Sequence, residues 1–288
     1  MKFLIFGCNG MAGHMVSLYL QERGHAVTGF ARRPSNLLPV VTGDAHDLAL
    51  VRKIMEAEGG GQYDVIVNCI GLLNQFAEKN PAEAVFLNAY FPHFLAEVAQ
   101  ETGVKLIHIS TDCVFSGRRG HYREDDFRDG ETFYDRSKAL GELEHGNTLT
   151  LRLSIVGPDR NPRGIGLLNW FMQRDGEIEG YTKTLWTGQT TLQLAKTIED
   201  AARKDVRGLC NAVPDTAISK CELLTLFNHY LRSDELVIRP VPGVDADKSL
   251  VRTCLRDELA PIPAYETMIS ELAQWMKAHK QLYPHYRL

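Results

Sequence analysis

Residues 2–15 read KFLIFGCNGMAGHM, and this stretch decides the fold because an apolar run passes directly into three regularly spaced glycines. The run predicts a buried strand, and the segment from Met11 predicts a helix. Gly7, Gly10 and Gly13 lie between them, where glycine permits a sharp turn and lets backbone N–H groups approach a bound phosphate. A simple glycine-bearing turn is the alternative. In its strand-turn-helix setting the motif predicts a dinucleotide site at the N-terminus of the first helix.

Short apolar runs alternate with longer amphipathic segments over the first half of the chain. This is the pattern of a parallel sheet with helices on both faces. The predicted strands are residues 2–7, 26–31, 64–71, 105–110, 149–157 and 208–213. The predicted helices are residues 11–23, 46–59, 81–103, 190–204, 219–231 and 265–279, besides one over residues 132–142. We therefore expect an α/β fold, a Rossmann-type doubly wound parallel sheet with a smaller, mostly helical C-terminal substrate domain.

Composition excludes several classes of protein. The 288 residues are 44% hydrophobic and 24% charged, as in ordinary globular proteins. A net charge of −4 and a pI near 6.2 give no basic field for nucleic acid. The N-terminal apolar run is too short for a signal peptide, and no run approaches the ~18 apolar residues of a membrane span, so we expect a cytoplasmic protein without a membrane partner. The six cysteines have no metal-ligand spacing, which predicts that most are buried thiols and that no metal is bound.

The end of the second strand, GFARRPS (29–35), indicates the cofactor. Sites for NAD commonly place a carboxylate here to hold the ribose 2′-hydroxyl. Arg32 and Arg33 stand there instead and can form charge-assisted hydrogen bonds to a 2′-phosphate. NADPH is the expected cofactor, with NADH or an unliganded basic turn as alternatives. Asp44 precedes the next helix, where it can cap that helix or accept a hydrogen bond from adenine.

Tyr134 and Lys138 lie four residues apart in TFYDRSKALGE (132–142), so on a helix they share one face. Thr111 follows the fourth strand at the carboxyl edge of the sheet. Reduction of a carbonyl needs a hydride donor, a proton donor and a group that polarises the oxygen. We expect Tyr134 to give the proton and Thr111 to hold the oxygen.

The phenol of Tyr134 has a reference pKa of about 10, and the charge of Lys138 is expected to lower it. The alternative is structural. In that case Tyr134 is a half-buried aromatic and Lys138 pairs with Glu142 along a solvated helix face.

The motifs GCNGMAGHM (7–15), STDCVFSG with YREDD (110–126) and YDRSKALGE (134–142) resemble the extended short-chain dehydrogenase/reductase superfamily. Within it, the chain is similar to the dTDP-4-dehydrorhamnose reductase family. The resemblance is specific over residues 1–157 and looser beyond. It implies a Rossmann domain, a smaller C-terminal domain closing over a nucleotide-sugar, and a triad of Thr111, Tyr134 and Lys138.

The resemblance also implies that Asn88 orders the active-site region and that the segment from RLSIVGP (152–158) contacts cofactor and sugar. With these, the expected cofactor contacts are Gly7, Asn9, Gly10, Met11, Gly13, Arg32, Arg33, Asp44, Asn68, Cys69, Ile70, Gly71, Asn88, Tyr134 and Lys138. The expected substrate contacts are Asp112, Val114 and Trp186, with core packing as the alternative for the tryptophan. Candidates for the substrate phosphates are Arg152, Arg160, Arg163 and Arg174.

The chain changes character at GPDRNPRGIG (157–166), which is rich in glycine, proline and charge and predicts a domain boundary. We expect residues 1–157, with about 190–213 returning to the sheet, to form an NADP-binding Rossmann domain. Residues 158–189 and 214–288 are expected to form the substrate-binding domain. A homodimer is one expected assembly, since helices on the face of such a sheet often pair.

The expected activity is reduction, by NADPH, of a nucleotide-linked 4-keto-6-deoxy sugar. Relatives that dehydrate such sugars carry Glu where this chain has Cys113, so dehydration is disfavoured. Asp135 stands where relatives tend to carry glycine, and this predicts an unusual substrate. The alternatives are a nucleotide-sugar epimerase with tightly bound NAD and a non-catalytic NADP-binding regulatory subunit.

Overall fold

The computed structural model describes residues 1–56 and 63–288. Its strands are β1 (Lys2–Phe6), β2 (Ala26–Ala31), β3 (Val40–Thr42), β4 (Val65–Asn68), β5 (Lys105–Ser110), β6 (Thr148–Arg152), β7 (Ser154–Val156), β8 (Glu177–Tyr181), β9 (Thr184–Trp186), β10 (Gly188–Thr190), β11 (Gly208–Asn211), β12 (Ile218–Ser219), β13 (Val237–Val241) and β14 (Ala246–Asp247). Its α-helices are α1 (Met11–Glu22), α2 (Leu48–Glu56), α3 (Asn74–Lys79), α4 (Pro81–Ala84), α5 (Phe91–Thr102), α6 (Phe133–Leu140), α7 (Leu167–Met172), α8 (Thr191–Arg203), α9 (Lys220–Arg232) and α10 (Tyr265–Ala278). Among these residues no helix is long and apolar enough to cross a membrane.

A seven-stranded parallel sheet organises the molecule, with the strand order β3-β2-β1-β4-β5-β6-β11. The direction in which strands are added reverses between β1 and β4. In open α/β sheets, ligands bind at the carboxyl ends of the strands at such a reversal. The predicted doubly wound fold is confirmed, and its topology places a crevice next to the glycine loop.

The first strand is buried on both faces, as expected for the centre of a parallel sheet. Phe3 and Ile5 pack into one core with residues of α1 and α8. Leu4 and Phe6 alternate with them and pack into the opposite core, with residues of α2 and α5. Strand β1 therefore lies between two layers of helices, which fixes the position of the turn that follows it.

A separate core lies between α7, α9, α10 and the C-terminal residues. Phe171, Phe227 and Leu272 are fully buried in it. The predicted capping box at the start of α9, from Ser219 to Glu222, is present. Three small sheets, β7 with β10, β8 with β13, and β9 between β12 and β14, surround this part of the chain.

Several predicted boundaries differ from the observed elements. The predicted strand 149–157 is two strands, because β7 leaves the large sheet and pairs with β10. The predicted helix 81–103 contains a π-helical turn, Val85–Tyr90, although it ends at Gly103 with a left-handed φ of +74° as predicted. Helix α2 begins at Leu48, and the last three residues of its predicted span lie outside the described residues.

The cysteines are free thiols, and their burial differs from the prediction. Cys8 and Cys210 are buried, whereas Cys254 is exposed and the others are partly buried. The expectation that most of them are buried is therefore wrong, because the spacing of cysteines along the chain does not set the depth of their side chains.

A buried ion pair joins β6 to the segment after α6. Arg152 is fully buried, and its Nε and Nη2 donate to the carboxylate of Glu142 over 2.7 and 2.6 Å. Ser110, at the end of β5, donates its hydroxyl to the same carboxylate over 2.6 Å, and Arg128 also pairs with it. Arg152 is therefore no candidate for a substrate phosphate, because its guanidinium is held inside the protein.

Replacing this carboxylate should destabilise the fold strongly. Glu142→Gln leaves the Arg152 charge buried without a counter-charge, which costs about 3–5 kcal/mol of the free energy of unfolding. Urea denaturation measures the change. The matched control is Glu144→Gln, since Glu144 is exposed and pairs with Arg128 at the surface, where a change under about 1 kcal/mol is expected. Equal losses in the two variants would contradict a stabilising role for the buried pair.

Candidate active site

Two adjoining pockets open at the carboxyl edge of the sheet. The first, here called the long groove, has a volume of about 750 Å³ and runs from the glycine loop to the ends of β2 and β3. The second, the inner pocket, has about 400 Å³ and lies over the end of β5 and the start of α6. Gly10, Cys69, Ile70 and Gly71 line both. The two pockets therefore form one continuous crevice at the strand reversal.

The glycine loop forms the floor where the pockets meet. Gly7 has a φ of +78°, and its N–H donates to the carbonyl of Phe30 over 2.9 Å. A Cβ at Gly13 would lie 2.2 Å from the Gly7 carbonyl oxygen, so the first turn of α1 packs directly on the loop. Gly13 therefore shapes the loop without lining a pocket, whereas Met11 lines the inner pocket. The positive N-terminus of α1 faces the crevice, where a phosphate would be stabilised.

The basic segment after β2 lines the long groove. Arg32 and Arg33 both contribute to its wall. Asn9 also lines the groove, and its side-chain amide donates to the Arg33 carbonyl over 2.9 Å, which ties the glycine loop to this segment. Neither guanidinium forms an ion pair with any carboxylate that the structure describes. Both charges are therefore free for an anionic ligand.

Asp44 lines the long groove beyond β3. It accepts hydrogen bonds from the backbone N–H of His46 and from its Nδ1, which hold the pKa of Asp44 below its ordinary value. The first turn of α2 is capped by Asp47, which accepts from the N–H of Leu50 over 3.0 Å. Helix capping by Asp44 is therefore wrong, and its carboxylate remains at the groove.

Residues 69–71, which follow β4, form the wall shared by the two pockets, whereas Asn68, the last residue of the strand, does not. Asn68 is fully buried and lines neither pocket. Its Oδ1 accepts from the N–H of Ile70 over 3.1 Å, and its Nδ2 lies 3.2 Å from His108 Nδ1. Asn68 therefore fixes the backbone that faces the crevice.

The three predicted catalytic residues meet in the inner pocket. Thr111, Tyr134 and Lys138 all line it and are all buried. The Nζ of Lys138 donates to the Ile109 carbonyl over 2.9 Å. The structural alternative for this pair is wrong, because Lys138 is only 3% exposed and the Glu142 carboxylate bonds to arginine. The face of α6 that carries them is turned into the protein.

Burial sets the proton affinities of this pocket. It raises the pKa of Tyr134 above its ordinary value, and the nearby Thr111 hydroxyl counteracts this only in part. Burial also lowers the pKa of Lys138 to about 8. The net shift of the Tyr134 pKa is therefore upward and not downward as predicted, because enclosure disfavours the phenolate. Tyr134 is a neutral phenol that can donate a proton, and Lys138 is a cation that titrates close to neutral pH.

His108 contacts this site and was not predicted. It is fully buried on β5, and burial holds its pKa well below the ordinary value, so the ring is neutral. Its Nδ1 lies 3.2 Å from Asn68 Nδ2, and its Nε2 lies 3.5 Å from the Nζ of Lys138. The only sequence signal was one polar residue inside an apolar strand.

The expected substrate contacts separate into two groups. Asp112 lines the inner pocket, and burial raises its pKa above the ordinary value. Val114 is fully buried in the main core. Trp186 is 3% exposed and packs against Tyr265, with Lys220 over its ring. Neither Val114 nor Trp186 lines either pocket, because both side chains fill apolar cores.

Asp135 has a local structural role. Its backbone N–H donates to the Thr132 hydroxyl, and its carboxylate accepts from the Thr132 N–H, which forms a capping box at the start of α6. The carboxylate also lies 3.8 Å from the Nζ of Lys248. The structure therefore gives Asp135 a function in starting the helix that presents Tyr134, and it supplies no contact with the inner pocket.

Asn88 occupies the π-helical turn and joins three parts of the site. Its Oδ1 accepts from the N–H of Leu72 over 2.7 Å, and its Nδ2 donates to the Leu72 carbonyl and to Ser137 Oγ over 2.9 and 3.0 Å. Leu72 lines the long groove and Ser137 lies on α6. Asn88 itself lines neither pocket, so it acts by holding the groove wall against α6.

The segment after β6 reaches the inner pocket. Leu153, Ser154 and Ile155 line it, as does Asp159 farther along. Arg160, Arg163 and Arg174, the remaining phosphate candidates, line neither pocket. Within residues 1–56 and 63–288, no group of three or more His, Cys, Asp or Glu side chains is placed to hold a metal ion.

The chain matches the family model described as the RmlD substrate binding domain over residues 1–159. It is 28% identical over 269 residues to a probable low-salt glycan biosynthesis reductase of Haloferax volcanii, covering 88% of this chain and 87% of that protein. It is 34% identical to the dTDP-4-dehydrorhamnose reductase of Streptomyces griseus over 143 residues, and these aligned residues make up 49% of this chain. That alignment spans only 43% of the Streptomyces protein.

Two solved structures share the fold at low sequence identity. The dTDP-4-dehydrorhamnose reductase of Bacillus anthracis, in complex with NADP, has a TM-score of 0.78 at 21% identity over 94% of this chain and 98% of that chain. The UDP-glucose 4-epimerase of Thermotoga maritima, in a structure with UDP-glucose, has a TM-score of 0.77 at 17% identity. That match covers 97% of this chain and 100% of the epimerase chain. The fold is therefore shared by reductases and epimerases alike.

Removing the Asn88 amide should loosen the site. Asn88→Ala leaves both polar groups of Leu72 without their partner inside the protein, and each unsatisfied group costs about 1–3 kcal/mol. We expect a loss of roughly 2–4 kcal/mol in the free energy of unfolding, measured by urea denaturation. Asn80→Ala is the control, since the exposed Asn80 amide makes one bond, to the Phe76 carbonyl, and should cost under about 1 kcal/mol. A loss at Asn88 no larger than at Asn80 would contradict the assigned role.

Proposed function

The chain belongs to the RmlD substrate binding domain family, and from that membership we propose that it is an NADPH-dependent reductase of a nucleotide-linked 4-keto-6-deoxy sugar. One observation carries the proposal. Thr111, Tyr134 and Lys138 line one buried pocket that is continuous with the groove beside the glycine loop. A carbonyl placed in this pocket would meet a hydroxyl, a neutral phenol and a cation.

The long groove suits a dinucleotide with a 2′-phosphate. The N-terminus of α1 and the glycine loop offer backbone N–H groups to the pyrophosphate. Arg32 and Arg33 stand where a carboxylate would select NAD, and both lack an ion-pair partner among the described residues. Asp44 lies beside them, at the place proposed for adenine. NADP is also the cofactor named for the Bacillus anthracis structure.

Each residue of the inner pocket has a separate role in the proposed reduction of the carbonyl. When bound, NADPH supplies a hydride for the carbonyl carbon. The Thr111 hydroxyl donates to the carbonyl oxygen and polarises it. Tyr134 transfers its phenolic proton to that oxygen, which becomes a hydroxyl. Lys138, as an ammonium, stabilises the phenolate that Tyr134 leaves behind.

We assign residues 158–189 and 214–288 to a substrate-binding domain. Ile165, Gly166 and Leu167 line the inner pocket from the first of these segments. Their contribution supports a pocket completed by the part of the chain beyond the Rossmann domain. Asp112 is the side chain that we propose for a sugar hydroxyl, since it faces the same pocket.

The reductase and epimerase proposals differ in what happens to the cofactor. An epimerase returns the hydride and keeps tightly bound NAD, whereas a reductase consumes NADPH. The arginines after β2 favour NADPH and hence the reductase. The intact set of Thr111, Tyr134 and Lys138 opposes a purely regulatory role, because binding alone needs no proton donor.

Tyr134→Phe should abolish turnover without loss of cofactor binding. Removing the proton donor is expected to lower kcat at least ~100-fold, since positioned proton transfer contributes about 10²–10⁴. The measurement is NADPH oxidation with a dTDP-linked 4-keto-6-deoxy sugar. Tyr230→Phe is the control, because that phenol bonds to Glu266 on the surface. Unchanged turnover in Tyr134→Phe would refute the donor role, and a wild-type protein that consumes no NADPH with any keto sugar would refute the reductase.

The rate should fall in alkaline solution. Lys138 has a pKa lowered to about 8, and the cation is the form that stabilises the phenolate. A group with this pKa is charged below pH 8 and loses its charge above it, so kcat/KM should be constant on the acid side and fall about tenfold per pH unit on the alkaline side. In Lys138→Arg the guanidinium stays charged, so the alkaline fall should disappear even if the rate is lower. A wild-type profile that stays flat well above pH 8 would contradict this role.

A further inference from the structure

The segment 157–166 crosses the junction of the two pockets. Asn161 lines the long groove, whereas Asp159, Ile165 and Gly166 line the inner pocket. A Cβ at Gly166 would lie 3.1 Å from the Sδ of Met11, the first residue of α1. The segment therefore passes directly above the glycine loop and the N-terminus of α1.

Buried hydrogen bonds hold this segment in place. The hydroxyl of Tyr286 accepts from the N–H of Asp159 over 3.0 Å and donates to Asn169 Oδ1 over 2.7 Å. The Nδ2 of Asn169 donates to the carbonyls of Pro162 and Gly164 over 3.2 and 2.6 Å. Tyr286 and Asn169 are both buried. The C-terminal residues thus fix a loop that lies over the crevice.

Arg160 does not line either pocket itself, but its side chain contacts the connection between β2 and β3. Its Nη2 lies 3.4 Å from Asn36 Oδ1, in the same connection after β2 that carries Arg32 and Arg33. The neighbouring Asp159 turns its carboxylate to its own loop, where it accepts from the N–H of Asn161 over 2.8 Å. In the part of the chain that the structure describes, Arg160 has no ion-pair partner.

The charge of Arg160 acts on the residues beneath the loop. Burial raises the pKa of the Cys8 thiol to about 11, and the Arg160 charge works against this increase. Burial likewise lowers the pKa of His14 to about 4, and Arg160 lowers it further. Cys8 lies inside the glycine loop and His14 follows it on α1. The charge of Arg160 therefore acts on residues at the glycine loop, where a pyrophosphate would bind.

We infer that Arg160 binds a phosphate group of the dinucleotide and closes the long groove from the C-terminal side. The inference rests on the proposed use of NADPH. Arg160 and the pair Arg32 and Arg33 then surround the ligand from two parts of the chain. The planar guanidinium offers paired donors that match phosphate oxygens, and its weak contact with Asn36 is easily exchanged for such a bond. The sequence placed Arg160 among the candidates for the substrate phosphates, whereas this inference assigns it to the cofactor.

The contact also links the two pockets. The segment that carries Arg160 supplies Ile165 and Gly166 to the wall of the inner pocket. A phosphate held by Arg160 would therefore fix part of the wall that receives the sugar. We expect the bound cofactor to complete the substrate pocket before the nucleotide-sugar enters.

The test compares Arg160→Ala with Arg163→Ala by isothermal titration of the full-length protein with NADP⁺ and, separately, with NAD⁺. Arg163 is exposed on the same loop, and its recorded hydrogen bond is made by its backbone N–H to Asn161 within that loop, so its variant should bind as the wild type does. For Arg160→Ala we expect NADP⁺ to bind at least ~10-fold more weakly, since a hydrogen bond to a charged group contributes about 1.5–3 kcal/mol. An equal loss for NAD⁺ assigns the contact to the pyrophosphate, and a loss for NADP⁺ alone assigns it to the 2′-phosphate.

The possible outcomes separate the inference from the proposed function. If Arg160→Ala binds NADP⁺ and NADPH as tightly as the wild type does, the inference is overturned and the reductase proposal stays intact. Wild-type protein that binds neither NADPH nor NADP⁺ would overturn both. Equal weakening in Arg160→Ala and Arg163→Ala would also overturn the inference, because a general loss of positive charge would explain it. Arg160→Gln, which keeps a polar side chain of similar length, repeats the test if the alanine variant does not fold.

Discussion

The close approach of α1 to the glycine loop is the contact on which the rest of the site depends. It exists only because position 13 has no side chain, since a Cβ there would lie 2.2 Å from the Gly7 carbonyl oxygen. Packed in this way, the helix directs its N-terminus into the crevice between β1 and β4. The long groove, the inner pocket and the segment above them are all arranged around that N-terminus.

Burial gives the inner pocket its chemistry. The same enclosure keeps the Tyr134 phenol protonated and weakens the hold of Lys138 on its proton, because water that would stabilise either charge is excluded. Lys138 is oriented by the Ile109 carbonyl and lies beside a neutral His108. The pocket therefore combines a neutral phenol with a cation whose charge depends on pH, and His108 beside them is as deeply buried as Tyr134 and Lys138.

The part of the chain beyond residue 157 contributes to both pockets. Its last residues reach back through Tyr286 to hold the loop that carries Asp159 and Arg160. His14, immediately behind the glycine loop, is also bonded to the C-terminal tail, through the Tyr283 hydroxyl over 2.8 Å. The tail thus contacts both α1 and the loop that crosses the crevice, so both halves of the chain contribute to the arrangement of the crevice.

The sequence by itself determined the strand-glycine-helix turn, the parallel sheet and the shared face of Tyr134 and Lys138, because each depends on backbone geometry over a few residues. Only the tertiary structure decided which polar groups are enclosed and what they contact. It placed Arg152 in a buried ion pair, Trp186 in a core and Arg160 against Asn36. It also raised the pKa of Tyr134, which the sequence had predicted to be lowered. The partners of a polar side chain and the dielectric around it come from residues far apart in the chain, so a local sequence pattern does not predict them.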